Sequence, residues 1–338
     1  MQVYINGPVH DDVVAAASKR YQVHLGFGPD AVPLDEVLPT VDAILMRGDV
    51  MDRERIGRAP RLRIIARHGV GVNNVDVQAA ADAGIWVTNT PGQNSTAVAE
   101  HAVALLLSLA RKIGEASAAV AAGRWGSAKA DLVGVELRGK SLGLVGFGNI
   151  AQKVVPIARG FGMQVAAYDP FVPASVMAEH EVRALPLEEL LRESDVVSLH
   201  LPLTPETDGL IGADQLDAMK ASAFLVNTAR GGLVDEQALL ERIVDGRLAG
   251  AALDVLAAEQ LDMEEPLRSS PPGLTAHDRL VITPHVGGQT VDSLRNVGMA
   301  ALDCIEEALT GVRPTFAVNE AVSNPSRGPH ASEPPGPA

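Results

Sequence analysis

The chain has 338 residues, 46% of them hydrophobic and 21% charged, so it is long enough for about two globular domains and too apolar to be disordered over most of its length. Its formal net charge of −14 argues against non-specific nucleic-acid binding, which requires a basic surface. The longest apolar run, residues 102–110, is far shorter than the roughly 20 residues of a membrane span, so no membrane helix is expected there.

A first series of strands and helices is predicted within residues 2–90. Its strands are expected at 3–5, 21–23, 43–45, 64–66 and 86–87, with helices such as 11–20 and 77–83 between them. Met1 leads directly into the first strand without a cationic, apolar leader, and we therefore expect a cytoplasmic protein.

A long helical connection, 95–122, is predicted to follow, and a second series begins at residue 142. Its further strands are expected at 165–168, 196–199, 224–226, 251–253 and 280–282, with helices that include 150–159, 186–193 and 235–244. Another long helix, 291–309, would return the chain to the first domain. Because strands alternate with helices throughout, the predicted fold class is α/β, with two doubly wound parallel-sheet domains and a cleft between them.

The start of the second series carries a dinucleotide-binding pattern. Residues 142–151 read LGLVGFGNIA, an apolar strand that runs through Gly146 and Gly148 into a helix. The glycines would let the backbone approach a pyrophosphate at the helix N-terminus. Asp169 follows about 20 residues on, at the end of the next strand, where it can accept hydrogen bonds from a ribose. Because a carboxylate would repel a 2′-phosphate, the sequence favours NAD over NADP.

Five further motifs extend the pattern along the chain. They are RHGVGVNNVD (67–76), HLPLTPET (200–207), NTARGGLVD (227–235), ALDV (252–255) and TPHVGG (283–288). With them, residues 40–310 resemble the D-isomer-specific 2-hydroxyacid dehydrogenase family, in particular its phosphoglycerate-dehydrogenase-like members. The resemblance implies an NAD-dependent enzyme that interconverts a small D-2-hydroxy acid, such as 3-phosphoglycerate, and its 2-oxo acid. Hydroxypyruvate, glyoxylate and sulfolactate-type acids are further candidate substrates, and no metal is predicted.

The resemblance also assigns the domains. A Rossmann NAD-binding domain would span 95–285, and a flavodoxin-like substrate (catalytic) domain would combine 1–94 with 286–322. Residues 323–338 are rich in Pro, Ser and Gly without apolar periodicity, and they are predicted to be a disordered tail. Family members are usually dimers, so we expect a homodimer joined through the helical connection, whose apolar residues 97–109 suit an interface as well as a core.

The resemblance places the catalytic groups at Arg230, Glu259 and His285. Reduction of a 2-oxo acid develops negative charge on the carbonyl oxygen, and an imidazolium can donate the required proton because imidazole titrates near physiological pH. A carboxylate bonded to the other ring nitrogen would fix the tautomer, and the guanidinium fork of Arg230 matches a substrate carboxylate.

The sequence offers two candidates for the carboxylate. Family members usually carry Pro after the glutamate, but Gln260 follows Glu259 here, and the longer loop contains a second candidate, Glu265. The separation of Glu259 from the strand that ends before Asp254 fits the family pattern, so the resemblance favours Glu259. A one-residue slip would instead put Gln260 there, as in formate-dehydrogenase-like chemistry, which we do not expect.

The resemblance carries over to a larger set of binding residues. The cofactor-binding residues would be Gly146, Gly148, Asn149, Ile150, Asp169, Leu201, Thr207, Thr228, Ala229, Asp254 and Gly287, with Asp254 accepting from the nicotinamide carboxamide. The substrate-binding residues would be Arg47, Asn94, Arg230 and the amides of Val70 and Gly71. Arg47, Arg67 and His68 are expected to supply local positive charge, and two of them could recognise a second anionic group. An alternative is a non-enzymatic NAD-sensing protein, because the family includes corepressors.

Overall fold

The computed structural model describes residues 1–262 and 265–321, along which strands alternate with helices. The strands are β1 (Gln2–Ile5), β2 (Gln22–Leu25), β3 (Ala43–Met46), β4 (Ile64–Arg67), β5 (Trp86–Thr88), β6 (Ser141–Val145), β7 (Gln164–Tyr168), β8 (Arg183–Ala184), β9 (Val196–Leu199), β10 (Phe224–Asn227), β11 (Gly250–Leu253) and β12 (Leu280–Ile282). The helices are α1 (Asp11–Ser18), α2 (Leu34–Val37), α3 (Arg53–Gly57), α4 (Val77–Asp82), α5 (Ser95–Arg111), α6 (Ile113–Ala121), α7 (Asn149–Gly160), α8 (Ala174–Glu179), α9 (Leu187–Glu193), α10 (Ala213–Ala218), α11 (Glu236–Val244) and α12 (Val291–Thr310). The predicted tail, 323–338, lies outside the described residues.

The chain divides into two compact units, of which the first combines Met1–Asn94 with the segment that starts at Gln289. Its parallel sheet has the order β2-β1-β3-β4-β5, the flavodoxin-like arrangement. Helices α1 and α12 cover one face of this sheet, and α2, α3 and α4 cover the other. Helices α1 and α12 approach closely because α12 carries Gly298, where a Cβ would lie 2.6 Å from Cγ2 of Val13.

The second unit, Ser95–Gly288, contains a seven-stranded parallel sheet in the order β12-β11-β10-β9-β6-β7-β8. The strand order reverses between β6 and β9, as it does in a Rossmann sheet, and ligands bind beside such a reversal. Helices α5 and α7 pack on one face, and α9, α10 and α11 pack on the other. The predicted fold class, with two doubly wound parallel sheets, is confirmed.

The long helical connection differs from its prediction as one helix. It breaks at Lys112, which adopts a left-handed conformation with φ 52°, and α6 begins one residue later. The amide of Val135 donates to the carbonyl oxygen of Ala110 at 2.7 Å. A continuing helix would need the same oxygen as the acceptor for its own amide four residues further on, so the break has a tertiary cause. The apolar residues of α5 are mostly buried in the core of the unit, so their use in an interface is not supported.

Candidate active site

The carboxyl ends of the strands in the second unit collect most of the residues that the sequence singles out. Arg230 follows β10, Glu259 follows β11 and His285 follows β12, while the glycine loop and Asp169 follow β6 and β7. These strands belong to one parallel sheet, so the loops that leave them lie along the same edge. Within the part of the chain that the structure describes, no helix is both long and apolar enough to cross a bilayer.

The structure brings His285 and Glu259 into direct contact. Nδ1 of His285 lies 2.7 Å from Oε2 of Glu259, whose other oxygen accepts the amide of Leu256 at 2.9 Å. Because an ionised carboxylate only accepts, this bond assigns the proton to Nδ1 and leaves Nε2 to exchange a proton with a ligand. The imidazole is 44% exposed and the Glu259 side chain only 13%, so the pair presents its histidine outward.

Glu265, the alternative carboxylate, does not lie against the histidine. Its side chain is 57% exposed and pairs with Arg268 at 3.0 Å on the same loop. Glu259 instead lies in a 3-10 turn, Ala257–Gln260, which a short loop joins to the end of β11. Of the two carboxylates left open by the sequence, the geometry therefore favours Glu259.

Arg230 stands on a loop that its neighbours hold closely against the Glu259 turn. The side chain of Asn227 bridges this loop, accepting from the amide of Ala229 (3.0 Å) and donating to the carbonyl of Arg230 (2.8 Å). Gly231 packs directly on the peptide that joins Leu256 to Ala257, with no room for a Cβ. The guanidinium of Arg230 donates to the carbonyl of Ala229 at 2.6 Å.

Asp254 anchors the loop that carries His285. This 2% exposed carboxylate accepts from the Thr283 hydroxyl (2.6 Å) and from the amides of Val286 (2.9 Å) and Gly287 (2.8 Å). His101 of α5 completes the cluster, with Nε2 3.2 Å from Asp254 Oδ1. Sequence reasoning missed His101 and Thr283 because their proximity to Asp254 arises only in the folded chain. The contact of Asp254 with a nicotinamide carboxamide stays a prediction.

The glycine loop fits a dinucleotide. Gly146 has φ 91°, and a Cβ there would lie 2.5 Å from the carbonyl oxygen of His200, so only glycine suits this position. Asp169 accepts the amide of Phe147 at 2.8 Å, which ties the loop to the end of β7. Helix α7 then starts at Asn149 with no side-chain cap and no acidic residue in its first turn, which leaves its N-terminus suited to a pyrophosphate.

The other predicted cofactor residues lie around this loop or after β10. Leu201 contacts the Gly146 position, and the hydroxyl of Thr207 donates to the carbonyl of Pro202 at 2.8 Å within its own turn. Thr228 is 7% exposed, and among the described residues its buried hydroxyl has no hydrogen-bond partner. Such an orphaned hydroxyl at the carboxyl edge fits a bound polar ligand.

In the first unit, His68 and Arg67 differ from the expectation that they supply positive charge for binding a second anionic group. Burial lowers the pKa of His68 to about 4, so this residue is neutral near pH 7 and the expectation that it supplies charge is wrong. Burial also lowers the pKa of Arg67 to about 10, and its guanidinium donates to the carbonyls of Met46, Arg47 and Gly71. The Arg67 guanidinium is therefore engaged by backbone carbonyls, which does not favour the binding of a second anionic group by this residue.

Arg47, Asn94 and the 69–71 loop remain candidate substrate contacts of the first unit. Arg47 is half-buried, and its guanidinium donates to the Pro8 carbonyl and to Gln289 Oε1. The loop is fixed by Thr90, whose hydroxyl accepts the Gly69 amide at 3.1 Å. Among the described residues, no group accepts from the amides of Val70 and Gly71, as a site for a carboxylate requires.

Comparison with known proteins identifies the family. The protein-family model described as "D-isomer specific 2-hydroxyacid dehydrogenase, NAD binding domain" matches residues 103–287. A D-3-phosphoglycerate dehydrogenase of Methanocaldococcus jannaschii is 36% identical over 94% of this chain, which spans 59% of that protein's length. A hydroxypyruvate reductase of Thermotoga maritima is 37% identical over 91% of this chain and 98% of its own.

Comparison with solved structures leads to the same family. A crystal structure of a D-lactate dehydrogenase with NAD+ from Lactobacillus jensenii has a TM-score of 0.79 and 30% identity, covering 94% of this chain and 100% of that one. The chain belongs to the D-isomer-specific 2-hydroxyacid dehydrogenase family, a class of NAD-dependent oxidoreductases. The resemblance drawn from the motifs is confirmed, and so is NAD as the cofactor.

Proposed function

We propose that this protein interconverts a small D-2-hydroxy acid and its 2-oxo acid with NAD. The observation that carries the proposal is the contact between His285 Nδ1 and Glu259 Oε2, 2.7 Å, in the unit that holds the family's NAD-binding domain. An acid–base pair of this kind beside a nicotinamide cofactor suits reduction of a carbonyl group.

Each of the three side chains has a separate task in this proposal. The cofactor, when bound, would supply the hydride as NADH during reduction and accept it as NAD⁺ during oxidation. Nε2 of His285 gives a proton to the substrate oxygen during reduction and removes it during oxidation. Glu259 stabilises the imidazolium and keeps the ring oriented, and Arg230 holds the substrate carboxylate and polarises its carbonyl.

The substrate is a small acid, and the first unit supplies the remaining proposed contacts. The amides of Val70 and Gly71 bind its carboxylate, and Asn94 contacts its polar groups. The names of the relatives point to 3-phosphoglycerate and to hydroxypyruvate. His68 is neutral, and the Arg67 guanidinium is held by three backbone carbonyls. Arg47 donates to one backbone carbonyl and to the side chain of Gln289, which can rotate away, so Arg47 is the residue we assign to any second anionic group.

The decisive test follows NADH oxidation spectrophotometrically over 2-oxo acids with and without a phosphate or sulfonate group. Turnover of at least one acid, giving the D-hydroxy acid, is expected. Tight NADH binding without turnover of any acid in the panel would instead support the NAD-sensing alternative. If phosphorylated acids are preferred, Arg47→Ala should raise their KM and leave that of plain acids unchanged.

We also propose a homodimer in the cytoplasm. Segment 113–135, which follows α5, exposes large apolar side chains, including Trp125 at 81% and Ile113, Val120 and Val133. Such exposure is typical of an interface. Light scattering of the wild type should give twice the chain mass, and Trp125→Glu should shift it toward the monomer. A monomeric wild type would contradict the dimer.

A further inference from the structure

A buried carboxyl group lies behind the proposed acid–base pair. Glu236 is the first residue of α11 and is only 7% exposed, although a glutamate in this place usually faces solvent. It does not cap its helix, because the side chain of Asp235 takes that role and accepts the amide of Ala238 at 2.9 Å. Its burial therefore needs another explanation.

The contact of Glu236 is with the turn that carries Glu259. Its Oε1 accepts the amide of Ala257 at 2.7 Å, and Ala257 is the first residue of the 3-10 turn. The preceding amide, that of Leu256, donates to Glu259 Oε1 at 2.9 Å. Two successive amides are thus held by two carboxylates, and a shift of this peptide would move Glu259 relative to His285.

The arrangement has an energetic cost. Burial raises the pKa of Glu236, and the negative charges of Glu259 and Asp235 raise it further, while the bond from the Ala257 amide opposes this. An apolar residue of similar size would avoid that cost, but it would leave the Ala257 amide without an acceptor. The hydrogen bond from the Ala257 amide therefore explains why a carboxyl group is present at this buried position.

We infer that Glu236 is a positioning residue, which fixes the Ala257 amide and so the turn from which Glu259 reaches His285. Its described hydrogen bond is with the turn, so we assign its effect to the placement of Glu259 rather than to contact with substrate or cofactor. The reaction on which it acts is the proposed function, whereas its contact with the turn stands on the geometry of the second unit.

Three variants test the inference by kinetics. Glu236→Leu removes the acceptor, and kcat should fall about 10- to 100-fold while the KM for NADH stays near that of the wild type. Glu236→Gln keeps an oxygen for the Ala257 amide and should restore most of kcat. Glu241→Leu, at an exposed glutamate of the same helix, is the matched control and should behave as the wild type. Full activity of Glu236→Leu would overturn the inference.

A second readout needs no turnover. In ¹⁵N spectra of the histidine side chains, assigned with His285→Ala, the Nδ1 signal should show the bond to Glu259 in the wild type and in Glu236→Gln. It should change in Glu236→Leu, and an unchanged signal there would overturn the inference. A wild type that reduces no 2-oxo acid would defeat the proposed function, while this comparison would still decide whether Glu236 positions Glu259.

Discussion

Nδ1 of His285 and Oε2 of Glu259 lie 2.7 Å apart, although the two residues are 26 positions apart in sequence. His285 reaches the carboxylate from a left-handed backbone conformation, φ 53°, in a loop that Asp254 holds by two amides and a hydroxyl. The strain of that conformation is compatible with a stable fold because the loop is fixed at both sides of the histidine.

The two glutamates of this loop region should differ sharply in their effect on activity. Glu259→Gln keeps the shape of the side chain but removes the charge that stabilises the imidazolium, so kcat for 2-oxo acid reduction should fall about 10²-fold. Glu265→Gln is the matched control, because Glu265 is exposed and pairs with Arg268, and its kcat should equal that of the wild type. Equal losses in both variants would refute the assignment.

Cofactor discrimination should depend on Asp169. In Asp169→Ala the repulsion of a 2′-phosphate is lost, so kcat/KM for NADPH relative to NADH should rise at least about tenfold. NADH binding should weaken as well, because the carboxylate also holds the amide of Phe147. Steady-state kinetics with both cofactors measure the ratio, and an unchanged ratio would count against the ribose contact.

The contact between the Arg230 loop and the Glu259 turn depends on Gly231. A Cβ there would overlap the Leu256 carbonyl and the Ala257 amide, which are backbone groups and cannot rotate away. Gly231→Ala should therefore destabilise the fold by about 1–3 kcal/mol in chemical denaturation and also lower kcat. Gly160→Ala, at a helical glycine with open space around its Cβ position, serves as the control and should not lose stability.

His68 should make the stability of the protein depend on pH. Its pKa of about 4 in the folded state lies below the ordinary value of about 6.5, so between these values only the unfolded chain takes up the proton. The contribution of neutral His68 to the free energy of unfolding is complete above about pH 6.5 and is lost as the pH falls toward 4. Over this range the free energy of unfolding should change by about 3 kcal/mol. The free energy of unfolding of His68→Gln, measured by urea denaturation across this range, should vary less than that of the wild type. Parallel curves for the two proteins would contradict the assignment.

Much of the fold is predictable from the sequence because buried parallel strands appear as short apolar runs between helical segments. The predicted strand at 43–45, for example, differs from β3 by one residue. The two-residue strand β8 is exposed and gives no such signal. The break at Lys112 was equally hidden, since it depends on the amide of Val135 reaching Ala110 from a distant part of the chain.

The candidate site shows the same division. Arg230 and His285 lie in motifs that can be read directly, but the choice between Glu259 and Glu265 needed the path of the loop after β11. The buried state of Glu236 and the proximity of His101 to Asp254 depend on packing between elements, which a local pattern does not record. Burial also removed the charge that the sequence suggested for His68.

Replacement of the proposed proton donor tests the account most directly. In His285→Ala, kcat for the best 2-oxo acid found in the NADH-oxidation screen should fall by about 10²–10⁴, because only proton transfer is lost. The dissociation constant of NADH, measured by fluorescence titration, should stay that of the wild type. A His285→Ala protein that still reduces the acid at a rate comparable to the wild type would contradict the account.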